Sequence, residues 1–166
     1  MTIRADAMLL THGREGTDRM IGAALLLDAA LGGQIDIERG YLVDGGERAD
    51  SPLVAELRAR VMSGPPESVS AWIDRAALFA PRKVAAELVA AGVAAPLERR
   101  FARRFTLSVD ARAEAAARAR ADRDPVLGAL LQSWPLPPAT HTLPPAVQAI
   151  LARVNQPAAP TYAWAA

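Results

Sequence analysis

The sequence predicts a mostly α fold: a single globular domain around a buried helical core, with two peripheral β-hairpins. Three observations carry this. The chain has 166 residues, the size of one ordinary domain. Apolar residues recur at helical spacing along most of it, and over residues 18–31 they occupy nearly every side of the predicted helix. Alternation, the mark of a half-buried strand, is strict over residues 34–38, and residues 93–108 read as a second hairpin.

The elements follow in order. Met8, Leu9 and Leu10 mark a short helix over 4–11, and His12-Gly13-Arg14-Glu15-Gly16 reads as a loop. Thr17 is read as the N-cap of the next helix, with Asp18 in its first turn. That helix carries Met20, Ile21, Ala24, Leu25, Leu27 and Leu31, so it belongs at the centre of the core, and Gly32-Gly33 stops it. Gln34-Ile35-Asp36-Ile37-Glu38 then alternates, Arg39-Gly40 turns, and Tyr41-Leu42-Val43 returns. Ser51-Pro52 caps and starts a helix with Leu53, Val54, Leu57 and Val61 on one face. Ser63-Gly64-Pro65-Pro66 breaks it. Val69, Trp72, Ile73 and Ala76 predict a helix over 68–78, and Pro81 starts a separate one that ends at Gly92. In the second hairpin, Phe101, Phe105 and Leu107 face one way, and Arg100 and Arg104 the other. Asp110 caps an arginine-rich helix, Asp124-Pro125 starts another, and Pro144-Pro145 starts the last, which runs to about Val154. The domain is read as 1–154, with 155–166 a weakly ordered tail that carries Tyr162 and Trp164.

Composition narrows the function. There is no cysteine, which removes disulfides, thiolate metal sites and thiol nucleophiles. Much of the 51% hydrophobic content is alanine, and the longest apolar run falls far short of a membrane span. The first residues lack the apolar stretch of a signal peptide, so a cytoplasmic protein is expected. Net charge is only +1, low for a nucleic-acid binder. Lys83 is the sole lysine among 19 cationic residues, and arginine's planar fork suits phosphate. A GC-rich genome would give the same bias.

No catalytic arrangement is apparent. The two histidines, His12 and His141, form no ligand pair, so neither a metal nor a catalytic role is expected of them. Asp36 and Glu38 alternate as the solvated side of a strand does. No glycine pair sits in a phosphate-loop context. The chain is therefore expected not to be an enzyme and to need no cofactor. The informative block is Trp72–Asp110, two helices and a hairpin rich in arginine. It fits a DNA wing that uses Arg82, Lys83, Arg99, Arg100, Arg103 and Arg104, a cationic rim on an anionic membrane, or an ordinary solvated face. Glu87 and Glu98 flank the basic run, and no nucleic acid is expected.

Three segments together resemble the Golgi phosphoprotein 3 family, and most closely its short bacterial relatives. They are GAALLLDAALGGQIDIE at 22–38, SPLVAELRARVMSGPPESVSAWI at 51–73, and PRKVAAELVAAGVAAPLERRFARRFTLSVD at 81–110. Their order and spacing carry the likeness, which spans roughly residues 5–135. The resemblance implies a helical globule with peripheral hairpins. It implies a peripheral membrane protein that binds phosphatidylinositol 4-phosphate and the cytosolic tails of membrane proteins, an adaptor and not a catalyst. It leaves a homo-oligomer open. The family's lipid site uses a Trp before the core helix, an Arg at that helix's start, and two basic residues before the "LV-x-x-G-V" turn. Here the loop holds no Trp, the Arg position falls on Gly22, and the basic positions fall near Leu78 and Pro81. The nearest arginines are Arg14, Arg19, Arg75 and Arg82, which become the candidate headgroup-binding residues. The expected function is thus a peripheral adaptor that binds anionic, phosphoinositide-like headgroups through an arginine face, on the inner side of the membrane. The alternatives are a protein-interaction domain without lipid binding and, behind it, a winged-helix nucleic-acid binder.

Overall fold

A computed structural model of the chain describes residues 2–97, 106–132, 143–154 and 156. Over them run α1 (Ile3–Thr11), α2 (Thr17–Leu31), β1 (Ile35–Glu38), β2 (Tyr41–Asp44), α3 (Pro52–Ser63), α4 (Val69–Ala90), β3 (Ala94–Leu97), β4 (Thr106–Val109), α5 (Ala111–Ala121), α6 (Pro125–Leu131) and α7 (Pro145–Arg153). The fold is mostly α with two small antiparallel hairpins, as the sequence predicts. In the first hairpin Arg39 (φ 53°) and Gly40 (φ 86°) form the turn, both in the left-handed region that a tight two-residue connection demands. In the second, Leu107 is buried as expected, whereas Arg99, Arg100, Phe101, Arg103, Arg104 and Phe105 lie outside the described residues. The predicted tail, apart from Gln156, lies outside them too.

The core is organised by α2. All of Ile21–Leu27 is buried, as all-round apolarity requires, and α2 packs most extensively against α4. The crossing is close because residue 22 has no side chain. A Cβ on Gly22 would lie 2.6 Å from the Ile73 carbonyl oxygen and 2.8 Å from the Ala77 nitrogen. Both are backbone atoms of α4, so neither can rotate away.

Two sequence expectations are corrected. The helices predicted over 68–78 and from Pro81 are one continuous helix, α4, with Pro81 inside it. Proline removes one helical hydrogen bond and crowds the preceding turn. One unbroken apolar stripe outweighs that loss: Trp72, Ile73, Ala76, Ala80, Val84 and Leu88 are all buried on both sides of the proline. The cap of α2 also differs. Gly16 occupies the N-cap with φ 79°, and Thr17 is already helical. The Thr17 hydroxyl instead reaches back to the carbonyls of Thr11 (2.5 Å) and Arg14 (2.8 Å), which closes the α1–α2 loop.

Buried charges fix α1. Arg4 is only 3% exposed. It donates to Asp28 (2.9 Å), Glu87 (3.3 Å) and Ser51 (3.2 Å), and so ties α1 to α2, α4 and the start of α3. Asp28 also accepts the N–H groups of Ile3 (2.9 Å) and Arg4 (3.2 Å), orphan donors of the first helical turn. Burial pushes the Asp28 carboxyl above its ordinary pKa, while the Arg4 charge and these hydrogen bonds pull it down. At the other side of α1, Arg120 grips buried Asp6 through two bonds of 2.9 and 2.6 Å.

The Gly22 contact makes a signed prediction. In an exposed helix Gly→Ala stabilises by about 0.5–1 kcal/mol. Gly22→Ala should instead destabilise by ~1–3 kcal/mol, the usual cost of overpacking. Denaturant unfolding of the two proteins measures the difference; a gain in stability would show that the helices separate freely.

Candidate functional site

The outer side of α4 collects the features of interest. Its buried stripe faces α2, which leaves Ala71, Arg75, Leu78 and Arg82 on the opposite side at spacings of four, three and four. Such spacings put side chains in one row along a helix. Leu78 is 84% exposed, the most exposed large apolar side chain among the described residues. Arg75 stands one turn before it, paired with Glu67 and 5.6 Å from the ring centre of Trp72. That pairing leaves the Arg75 side chain 55% exposed. Arg82 stands one turn after Leu78, exposed and without an ion pair among the described residues. Next to this row, Arg60 of α3 stacks 4.5 Å from the ring centre of Phe79, and Lys83 pairs with Glu56. The Glu56 carboxyl is held below its ordinary pKa by hydrogen bonds from Lys83 and then Arg60.

The four candidate arginines are placed differently. Arg75 and Arg82 share the outer row of α4. Arg19 lies between α2, α4 and the end of α7, and its guanidinium is enclosed by acceptors. It donates to Asp74, to Ser70 (3.2 Å), and to the carbonyls of Arg153 (3.1 Å), Val154 (2.8 Å) and Gln156. Those carbonyls cluster at the C-terminal end of α7, where a cation is favoured by the helix dipole. Ser70 donates to the Gln156 carbonyl as well (3.0 Å). Arg14 is exposed in the α1–α2 loop. It lines a cleft of about 300 Å³ with Leu10, Met20, Arg118, Asp122 and Leu131, none of them on α4.

Gly22 is fully inside the α2–α4 crossing, where backbone leaves no room for any side chain. Leu78 points outward and Pro81 is half-buried. A depression of about 600 Å³ lies beside α3, lined in part by Asp44, Ser51, Arg58 and Met62. Arg48, exposed, also lines it, whereas Arg58 is already engaged: it grips both oxygens of Asp44 (2.6 and 2.9 Å) and the Glu47 carbonyl (2.9 Å). The same bonds hold the Asp44 carboxyl below its ordinary pKa. Among the described residues no group of three potential metal ligands occurs, and no helix is long and apolar enough to cross a membrane.

Residues 4–159 match the family described as Golgi phosphoprotein 3. The chain belongs to that family. No curated protein matches it. Membership of the Golgi phosphoprotein 3 family suggests an adaptor of that kind. Sequence reading missed two parts of the site. The cage around Arg19 is assembled from residues 51 to 137 positions away, so no local pattern marks it. Leu78 registered only as a missing basic residue; its exposure becomes legible once α4 is known to be continuous.

The Arg19 cage is expected to hold α7. Replacing Arg19 with Met should cost roughly 1.5–3 kcal/mol, the range for hydrogen bonds that involve charge. Amide exchange should quicken in α7 and stay unchanged in α1, which the Arg4 network fixes independently. Equal acceleration of both helices would contradict a local clamp.

Proposed function

We propose that this member of the Golgi phosphoprotein 3 family is a non-catalytic, peripheral membrane-binding adaptor. It binds anionic phospholipid through the arginine face of α4, on the cytoplasmic side of a membrane. The observation that carries the reading is the row Arg75–Leu78–Arg82. Two exposed arginines stand on one rigid helix, one of them without an ion pair among the described residues. Family membership supports an adaptor role. Arg14 and Arg19 complete the set by proximity in sequence, with Arg19 available to lipid only at the expense of its bonds to α4 and α7.

Magnitudes are modest. Each arginine near an anionic surface contributes about 1 kcal/mol, so Arg75 and Arg82 together give roughly 2 kcal/mol, or about thirtyfold in affinity. The closed approach at Gly22 favours a general anionic surface over a single cradled headgroup, because no cation can stand there. A second reading, a protein-interaction domain that recognises cytosolic tails without lipid, is favoured by the depression beside α3, where Met62 is 58% exposed.

Co-sedimentation with vesicles of graded anionic content tests the choice. Binding should rise with anionic lipid and weaken as salt increases. The pair Arg75→Glu and Arg82→Glu should reduce it by more than about thirtyfold, since each change also adds repulsion. Because Arg75→Glu also sets a carboxylate beside Glu67, the control is Arg75→Gln with Arg82→Gln, which should weaken binding by about thirtyfold while the protein stays folded by circular dichroism. Unchanged binding would move the lipid site off α4, and absence of binding by the unaltered chain would leave the protein-interaction reading.

A further inference from the structure

Leu78 is an unusual residue for its position. Apolar side chains scattered singly over a surface are ordinary. This one is 84% exposed, well beyond Met62 at 58% and Leu31 and Tyr41 at 46%. It projects from the middle of a 22-residue helix whose other side is locked to α2. It also stands between two cations on the same row, Arg75 three positions before and Arg82 four after. Glu67, just before α4, pairs with Arg75 and leaves that side chain 55% exposed, but the acids of α4 itself do not neutralise the row. Asp74 is turned to Arg19, and Glu87 is turned to Arg4. One turn beyond Arg82 the row continues with Ala86, exposed and uncharged.

We propose that Leu78 is a membrane-inserting anchor whose partner is an anionic phospholipid bilayer, with Arg75 and Arg82 holding phosphates on either side of it. The proposal deepens the membrane reading above and rests on it. Charge complementarity selects the occupant. A protein interface needs a wide apolar centre, and here the neighbours in the row are arginine and alanine. A bilayer offers apolar depth below every headgroup, so one leucine suffices. Arg75 and Arg82 are about 10 Å apart along the helix. Their long stems allow both guanidinium groups to remain at phosphate level while Leu78 enters the acyl boundary.

Insertion divides the binding into two separable parts. Attraction by the arginines is screened by salt. Burial of Leu78 is not, and transfer of a full leucine side chain is worth roughly a factor of ten or more in affinity. Loss of Leu78 therefore lowers affinity at every salt concentration and leaves the salt slope as it was. Loss of the arginines flattens the slope.

The absence of cysteine makes a direct test simple. Leu78→Cys in the full chain is labelled with an environment-sensitive fluorophore and mixed with phosphatidylcholine vesicles with or without phosphatidylserine. Ala116→Cys, exposed on α5, serves as the control. The proposal expects a blue shift at position 78 with anionic vesicles only, quenching by spin-labelled acyl chains, and neither effect at position 116. Unlabelled Leu78→Ser should bind these vesicles ~10-fold more weakly with the same salt slope. Sedimentation with vesicles while the position-78 label stays in water overturns the insertion and leaves the membrane reading standing. No sedimentation by the unaltered chain overturns both. A label already in apolar surroundings without vesicles, and released by deletion of 157–166, assigns Leu78 to the chain's own end and overturns the proposal.

Discussion

The structure turns on the contact between α2 and α4 at Gly22. Two helices meet there with backbone against backbone, 2.6 Å from a would-be Cβ to a carbonyl oxygen. The apolar run Ile21–Leu27 of α2 is consumed by the core, so this stretch offers no surface. What it does is set the rotation of α4. With Ile73 and Ala77 pressed on Gly22, the buried stripe Trp72–Leu88 must face inward, and Arg75, Leu78 and Arg82 must face out. The helix also crosses Pro81 without a break, because the stripe on either side of the proline is seated in one core. A candidate surface thus arises from a packing constraint beneath it.

Arginine serves two distinct purposes in this chain. Arg4, Arg19, Arg58 and Arg120 are internal ties, each fixed to a carboxylate. They hold α1, α7, β2 and α5 in place across long sequence separations. Only a planar, always charged fork with several donors can satisfy so many acceptors at once. Arg14 and Arg82 are different: their side chains reach solvent and make no ion pair among the described residues. Arg75 stands between these roles, paired with Glu67 yet largely exposed. Counting arginines in the sequence therefore overstates the cationic surface.

The fold was largely legible because it depends on local patterns. The apolar periodicity of residues 18–31, the cap Ser51-Pro52, the alternation around Arg39-Gly40 and the caps Asp110 and Asp124 each act within a few residues and each is present. Pro81 misled because a local rule was applied where tertiary packing decides. The candidate site was legible only in part. Arg75 and Arg82 could be named from sequence, but their shared row could not be, since the break assumed at residues 79–80 would have uncoupled them. Arg19 was singled out for its place at the start of α2; that its acceptors come from Ser70, Asp74 and the end of α7 follows from the fold alone.

The central claim is that α4, held by Gly22, turns its outer row to an anionic bilayer. The most direct measurement is a spin-label scan along residues 71–86 on vesicle-bound protein, comparing collisions with oxygen, which enriches in the bilayer, and with a water-soluble nickel complex. The account predicts oxygen contact that peaks at 71, 75, 78 and 82 with helical periodicity, deepest at 78. A flat, water-like profile on protein that is firmly vesicle-bound would contradict it and place the membrane contact on another surface.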